Sequence, residues 1–120
     1  MTLQIKLEKK EDYIHAIIEG EFDLNQVKGV LAEMIKSCER KAIDKIILDC
    51  AKITTKVQIM DRYFMGEFLT KEIKMPMKIA FMARDDQILP DKFLENVMVN
   101  RGFNAKVFAD LNKATLWLNS

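Results

Sequence analysis

A chain of 120 residues has the length of one domain, and 49% hydrophobic with 31% charged residues suits a folded globule rather than a disordered tail. Nineteen basic and eighteen acidic residues leave a net charge of +1, with the two signs interleaved. Binding nucleic acid by phosphate neutralisation calls for a basic excess or stripe, so no nucleic-acid partner is expected. No apolar run approaches membrane-spanning length, so no membrane span is expected. The opening Met1-Thr2-Leu3-Gln4-Ile5-Lys6-Leu7-Glu8 alternates and carries charge, unlike a signal peptide. Cys38 and Cys50 form no CxxC and are expected as buried reduced thiols, which points to a cytoplasmic protein.

Leu3, Ile5 and Leu7 alternate with Gln4, Lys6 and Glu8, the pattern of a half-exposed strand. A polar turn over Lys9 to Asp12 leads to a second strand over Tyr13 to Glu19, its hairpin partner, ended by Gly20. Asp23 opens the first helix with Gln26 at the third position, a variant of the capping box. Val27, Leu31, Met34, Ile35 and Cys38 share one face of it. Ile46-Ile47-Leu48, inside a strand from Asp44 to Asp49, forms an unbroken apolar run that predicts cover on both faces. A loop over Ala51 to Gln58 follows, then a second helix from about Asp61 to Lys74, stopped by Pro76. Met77 to Ala83 is a central strand, and Arg84-Asp85-Asp86 its exit loop.

Pro90 suits the first turn of a third helix that buries Phe93, Leu94, Val97 and Met98 and stops at Gly102. Lys106-Val107-Phe108 is the last strand. Asp110 caps a short final helix that buries Leu111, Ala114 and Leu118. The order β-β-α-β-α-β-α-β-α predicts an α/β domain over residues 1–120, with a mixed, mostly parallel five-stranded sheet and packed helices. No internal repeat, linker or low-complexity segment interrupts it.

The stretch Asn100-Arg101-Gly102-Phe103, then Val107-Phe108-Ala109-Asp110 and Ala114-Thr115-Leu116-Trp117-Leu118, resembles the close of the STAS family, and more closely of its SpoIIAA-like bacterial branch. The resemblance extends in element order over nearly the whole chain. It implies a regulatory module that binds protein partners. It also implies a phosphorylatable serine in an Asp-Ser-Ser-Gly turn before the second helix. Asp61-Arg62-Tyr63-Phe64 is the best match, and it keeps the aspartate while lacking both serines and the glycine. Thr54 and Thr55 in the preceding loop are the candidate substitutes for phosphorylation. The wider superfamily also includes carriers of apolar molecules.

Catalytic residues are harder to find. His15, the only histidine, shares a strand face with Tyr13 and Ile17, and the sequence places no nucleophile or ligand set beside it. It reads as a half-buried structural residue. Asp23, Asp49, Asp85, Asp86 and Asp110 gather at strand ends, where α/β sheets bind ligands. Asp23 and Asp110 are accounted for as helix caps, with Asp61 a third candidate, which leaves Asp49 with Asp85 or Asp86 as a thin case for a metal enzyme. GxGxxG, GxxxxGK[ST] and GxSxG are all absent, and the only serines are Ser37 and Ser120. No cofactor, no resident metal and no catalytic residue is therefore expected.

The second helix carries the main surface candidates: Met60, Tyr63, Phe64, Met65 and Phe68, with Leu69. Five of the eight methionines lie between positions 60 and 82. Such side chains adapt to varied apolar partners, but they also fill a helix buried on two sides. Three readings follow. The first is a non-enzymatic module that binds a protein partner or a second copy of itself as a homodimer. The second is a small carrier of an apolar, lipid-like ligand, and the third is a metal enzyme built on the strand-end carboxylates.

Overall fold

The computed structural model describes residues 3–120, the side chains of residues 88–91 excepted. Met1 and Thr2, where the expected alternation begins, lie outside the described residues. Five strands and four helices follow in the expected order: β1 (Gln4–Lys9), β2 (Ile14–Gly20), α1 (Leu24–Lys41), β3 (Lys45–Ile53), α2 (Ile59–Glu72), β4 (Lys78–Met82), α3 (Asp85–Asn100), β5 (Asn104–Phe108) and α4 (Leu111–Leu118). The sheet order is β1-β2-β3-β4-β5, so neighbours in space are neighbours in sequence. β1 pairs antiparallel with β2, and all other pairs are parallel.

The crossovers all step the same way across the sheet, which places α1, α2 and α3 on one face. The strands' alternation divides the core accordingly. Ile46 and Leu48 of β3, with Ile79 and Phe81 of β4, point into the main core beneath those three helices. Ile47, Ala80 and Met82 point the other way and meet Ala114 and Leu118 of α4, with Tyr13, Phe108 and Trp117 at the rim. The apolar run Ile46-Ile47-Leu48 thus reflects cover on both faces.

Local signals set most of the ends. Asp23 Oδ1 accepts the Gln26 N–H at 3.0 Å, and Asp110 Oδ1 accepts the Asn112 N–H at 2.8 Å, so both aspartates cap their helices. Arg40 and Lys41 occupy the last turn of α1, where positive charge suits the helix dipole. Gly102 turns the chain after α3 with a φ of 85°, a conformation costly for any other residue.

The observed structure departs from the sequence reading in several places. β3 runs on to Ile53 rather than ending near Asp49. Ile17 pairs with Asp49 and Glu19 with Lys52, so β3 carries one extra residue there, a bulge that hides the alternation. Asp49 Oδ1 accepts the Ala51 N–H at 3.1 Å inside this irregularity. α3 begins at Asp85, not near Pro90, which falls within the helix. Its start is made by Gln87, whose Oε1 accepts the Arg84 N–H at 2.6 Å, and by Asp85 and Asp86 in the first turn. Asp61 sits inside the first turn of α2 and is not its cap. Phe93 and Leu111 are exposed rather than buried.

Cys38 lies fully buried on the core face of α1, and burial pushes its thiol up to about 11. At neutral pH it therefore stays protonated and unreactive. Native protein treated with iodoacetamide is expected to leave Cys38 unmodified, with full labelling only after denaturation, read by peptide mass spectrometry.

Candidate functional site

β3 and β4 end at the same edge of the sheet, and α2 and α3 both begin there. The loop between β3 and α2, residues 54–58, is tied down at several points. The Thr54 N–H donates to the Gly20 carbonyl at 2.8 Å, and Thr55 Oγ1 accepts the Phe22 N–H at 2.9 Å. These bonds fasten the loop to the exit of β2. Val57 is buried in the core, and Arg62 Nη1, on a buried side chain, donates to the Val57 carbonyl.

Arg84 works from the other side. Its Nη1 donates to the carbonyls of Ala51 and Ile53, while Nε meets Asp86 Oδ1 at 3.0 Å. Gln87 Nε2 donates to the Cys50 carbonyl at 3.2 Å. The end of β3 is thus held by side chains from the start of α3. The Arg84 hydrogen bond, with its charge, holds the Asp86 carboxyl below the ordinary carboxylate range. A polar cleft of about 350 Å³ opens here, lined by Thr54, Thr55, Lys56, Arg62, Arg84 and Asp86.

The five candidates on α2 do not form one surface. Met60 and Phe64, one turn apart, are 57% and 38% exposed, and Ile59 beside them is 59% exposed. Tyr63 is half-buried. Its hydroxyl donates to Glu67 Oε2 at 3.2 Å, its ring lies edge-on to Phe64 with centroids 5.7 Å apart, and the Arg101 guanidinium sits 5.6 Å from its ring centroid. Phe68 packs against the main core, and Lys28 Nζ of α1 lies 5.8 Å from its ring centroid. Met65, expected with the others on the surface, is instead a core residue and takes no part in it. The helix is flanked by α1 and α3, which explains why its apolar residues spread around it. Ile59, exposed and absent from the expected set, belongs to the patch because the helix starts two residues earlier than its pattern suggested.

Beneath the loop, the cavity that Met65 lines with Phe22 and Phe81 measures about 20 Å³, room for no more than a water. A drug-sized ligand needs several hundred Å³. The methionines at 75 and 77 lie instead along a groove of about 640 Å³ at the opposite edge of the sheet, with Phe103 and Lys74.

The strand-end carboxylates do not converge. Asp49 is within β3 and faces away from α1–α3, Asp86 is engaged by Arg84, and Asp85 is exposed on α3. No group of three metal-ligating side chains occurs among the described residues. Asp49 has another partner, which the sequence reading missed. His15 is buried, with Nε2 3.3 Å from Asp49 Oδ2 and Nδ1 3.9 Å from Glu8 Oε1. Alternation already placed Glu8, His15 and Asp49 on the sheet face opposite Ile5, Ile14 and Leu48. The hairpin of β1 and β2 was expected, and the parallel pairing of β3 beside β2 is what brings Asp49 to His15.

No family model and no curated protein matches the sequence. Solved structures do. An anti-sigma factor antagonist from Mycobacterium paratuberculosis superposes with a TM-score of 0.68 at 10% identity, over 99% of this chain and 96% of that one. The chain has a SpoIIAA-like fold. A DUF3478 family protein from Shewanella loihica PV-4, described as having that fold, superposes with a TM-score of 0.55 at 18% identity, over 97% of this chain and 93% of its own. In this SpoIIAA-like fold the residues expected at the serine turn, Asp61 to Phe64, lie within α2, and Thr54 and Thr55 lie in the loop before it. No helix among the described residues is long and apolar enough to cross a membrane.

Proposed function

We propose that residues 1–120 act as one STAS-like regulatory module that binds a protein partner and carries out no chemistry of its own. The observation behind this reading is the apolar patch of Ile59, Met60 and Phe64 at the start of α2, next to a loop that Arg62 holds in place and a strand end that Arg84 holds. A pre-ordered loop beside exposed apolar side chains lowers the ordering cost of binding. The structural neighbour that is an anti-sigma factor antagonist makes a protein the expected class of partner. The buried thiols suit a reducing cytoplasm.

The Asp-Ser-Ser-Gly switch is missing from this module, and the loop's hydroxyls are those of Thr54 and Thr55. Thr54 is the better phosphate acceptor of the two, because Thr55 Oγ1 already accepts the Phe22 N–H. Phe64→Asp is expected to weaken partner binding by about 2 kcal/mol, the scale of an interface hot spot, with an unchanged circular dichroism spectrum. Pull-down from the source cells with the wild-type and variant proteins measures it. Equal recovery of the same partner by both would remove this patch from the reading.

A further inference from the structure

The two edges of the sheet are finished differently. On β5, the Val107 N–H donates to Glu95 Oε1 at 2.8 Å, so a side chain from α3 occupies part of that edge. Among the described residues no side chain hydrogen-bonds to the backbone of β1, the other edge strand. A strand with a free edge is a template for another strand. Leu7 adds to this: it shares the face of Ile5, whose side chain reaches the main core, yet it is 49% exposed.

We propose that β1 is a self-association edge, on which a second copy of this chain pairs antiparallel about a two-fold axis at Leu7. The charges on the strand select this register. A two-fold axis perpendicular to the sheet keeps each face on its own side, so only residues of the same parity stand opposite one another. Two such registers give the longest overlap within Gln4–Lys9. One is centred on Lys6 and sets Lys6 against its own copy. The other is centred on Leu7 and sets each Lys6 opposite the Glu8 of the second chain, twice by symmetry, with Leu7 against Leu7 and the stem of Lys9 beside Ile5. Like charges directly opposite are unfavourable, so the Leu7 register wins. Glu8 is well suited to its part, since Lys10 and Lys6 beside it hold its carboxyl below the ordinary range and keep it ionised.

This surface lies on β1, away from α2, and stands or falls separately from partner binding. Sedimentation of the full chain tests it. The wild type is expected to show a concentration-dependent monomer–dimer equilibrium. Lys6→Glu and Glu8→Lys each place like charges opposite one another and are expected to weaken the dimer by about tenfold or more. In an equal mixture of the two variants, the carboxylate introduced on one chain stands opposite the ammonium introduced on the other. Dimers near the wild-type constant are then expected to return. Melting of each variant serves as the control: the Lys6–Glu8 pair within one chain is mostly exposed and adds little stability, and any loss through the contact of Glu8 with His15 is read there. A wild type that stays monomeric to its solubility limit, single variants that dimerise as well as the wild type, or a mixture no more associated than its parts would each overturn the proposal.

Discussion

Replacing Gly66 by leucine is expected to lower the stability of the fold by about 3 kcal/mol, because α2 and α3 touch at this residue with no space for a side chain. A Cβ at position 66 would stand 2.9 Å from Val97 Cγ1, 3.1 Å from Leu94 Cδ1 and 3.3 Å from Val97 Cβ. Valine in a helix has one strongly preferred rotamer, so Val97 cannot turn aside and α3 has to move. Alanine already brings the Cβ of that clash, and its gain of about 1 kcal/mol of helix propensity over glycine offsets only part of the cost, so Gly66→Ala is expected to lose about 1 kcal/mol. Gly29 in α1 provides the matched control. A Cβ there meets nothing within 4 Å, so Gly29→Ala should gain about 1 kcal/mol outright. Urea unfolding of the three variants reads all of these terms. A Gly66→Leu protein as stable as the wild type would mean that the two helices do not pack as closely as described.

Arg62→Ala is the second large effect, an expected loss of about 3 kcal/mol. Arg62 is 7% exposed, its guanidinium holds the Val57 carbonyl, and it borders the small cavity beneath the loop. Truncation removes the bond and enlarges the void together. Arg62→Met separates these contributions, since methionine fills most of the volume while removing the hydrogen bond. The methionine variant is therefore expected to lose about 1 kcal/mol, while amide exchange through residues 54–58 accelerates in both. If methionine costs as much as alanine, the guanidinium bond itself carries the stability and packing of the stem is secondary.

Much of the fold was legible because its elements are carried by local signals. The capping aspartates 23 and 110, the stripe from Val27 to Cys38 and the apolar run at Ile46 all act within a few residues of themselves. The misplaced boundaries are those where a longer-range contact decides. The bulge in β3 depends on its register with β2, and the start of α3 on Gln87 reaching back to Arg84. The candidate site was less legible for a related reason. Exposure on α2 is set by α1 and α3 on either side, so composition alone could not separate Met65, in the core, from Met60, in solvent. Nothing in the sequence marks Arg62 and Arg84 as buried or bonded, because arginine is a surface residue by default. Their role is to satisfy backbone carbonyls that a strand end and a loop leave open.

The order of strands in the sheet, which is also their order in the chain, bears on how the molecule is made. Each strand from β2 onward docks on one already emerged from the ribosome, and none has to wait for a distant segment to complete its pairing. The entropy of closing each crossover is that of a single helix and its loops. A nascent chain can therefore add one βα unit at a time, with folding kept in step with synthesis. α4 comes last and covers the second face only after β5 is in place, so that face is the one a ribosome-bound chain exposes longest.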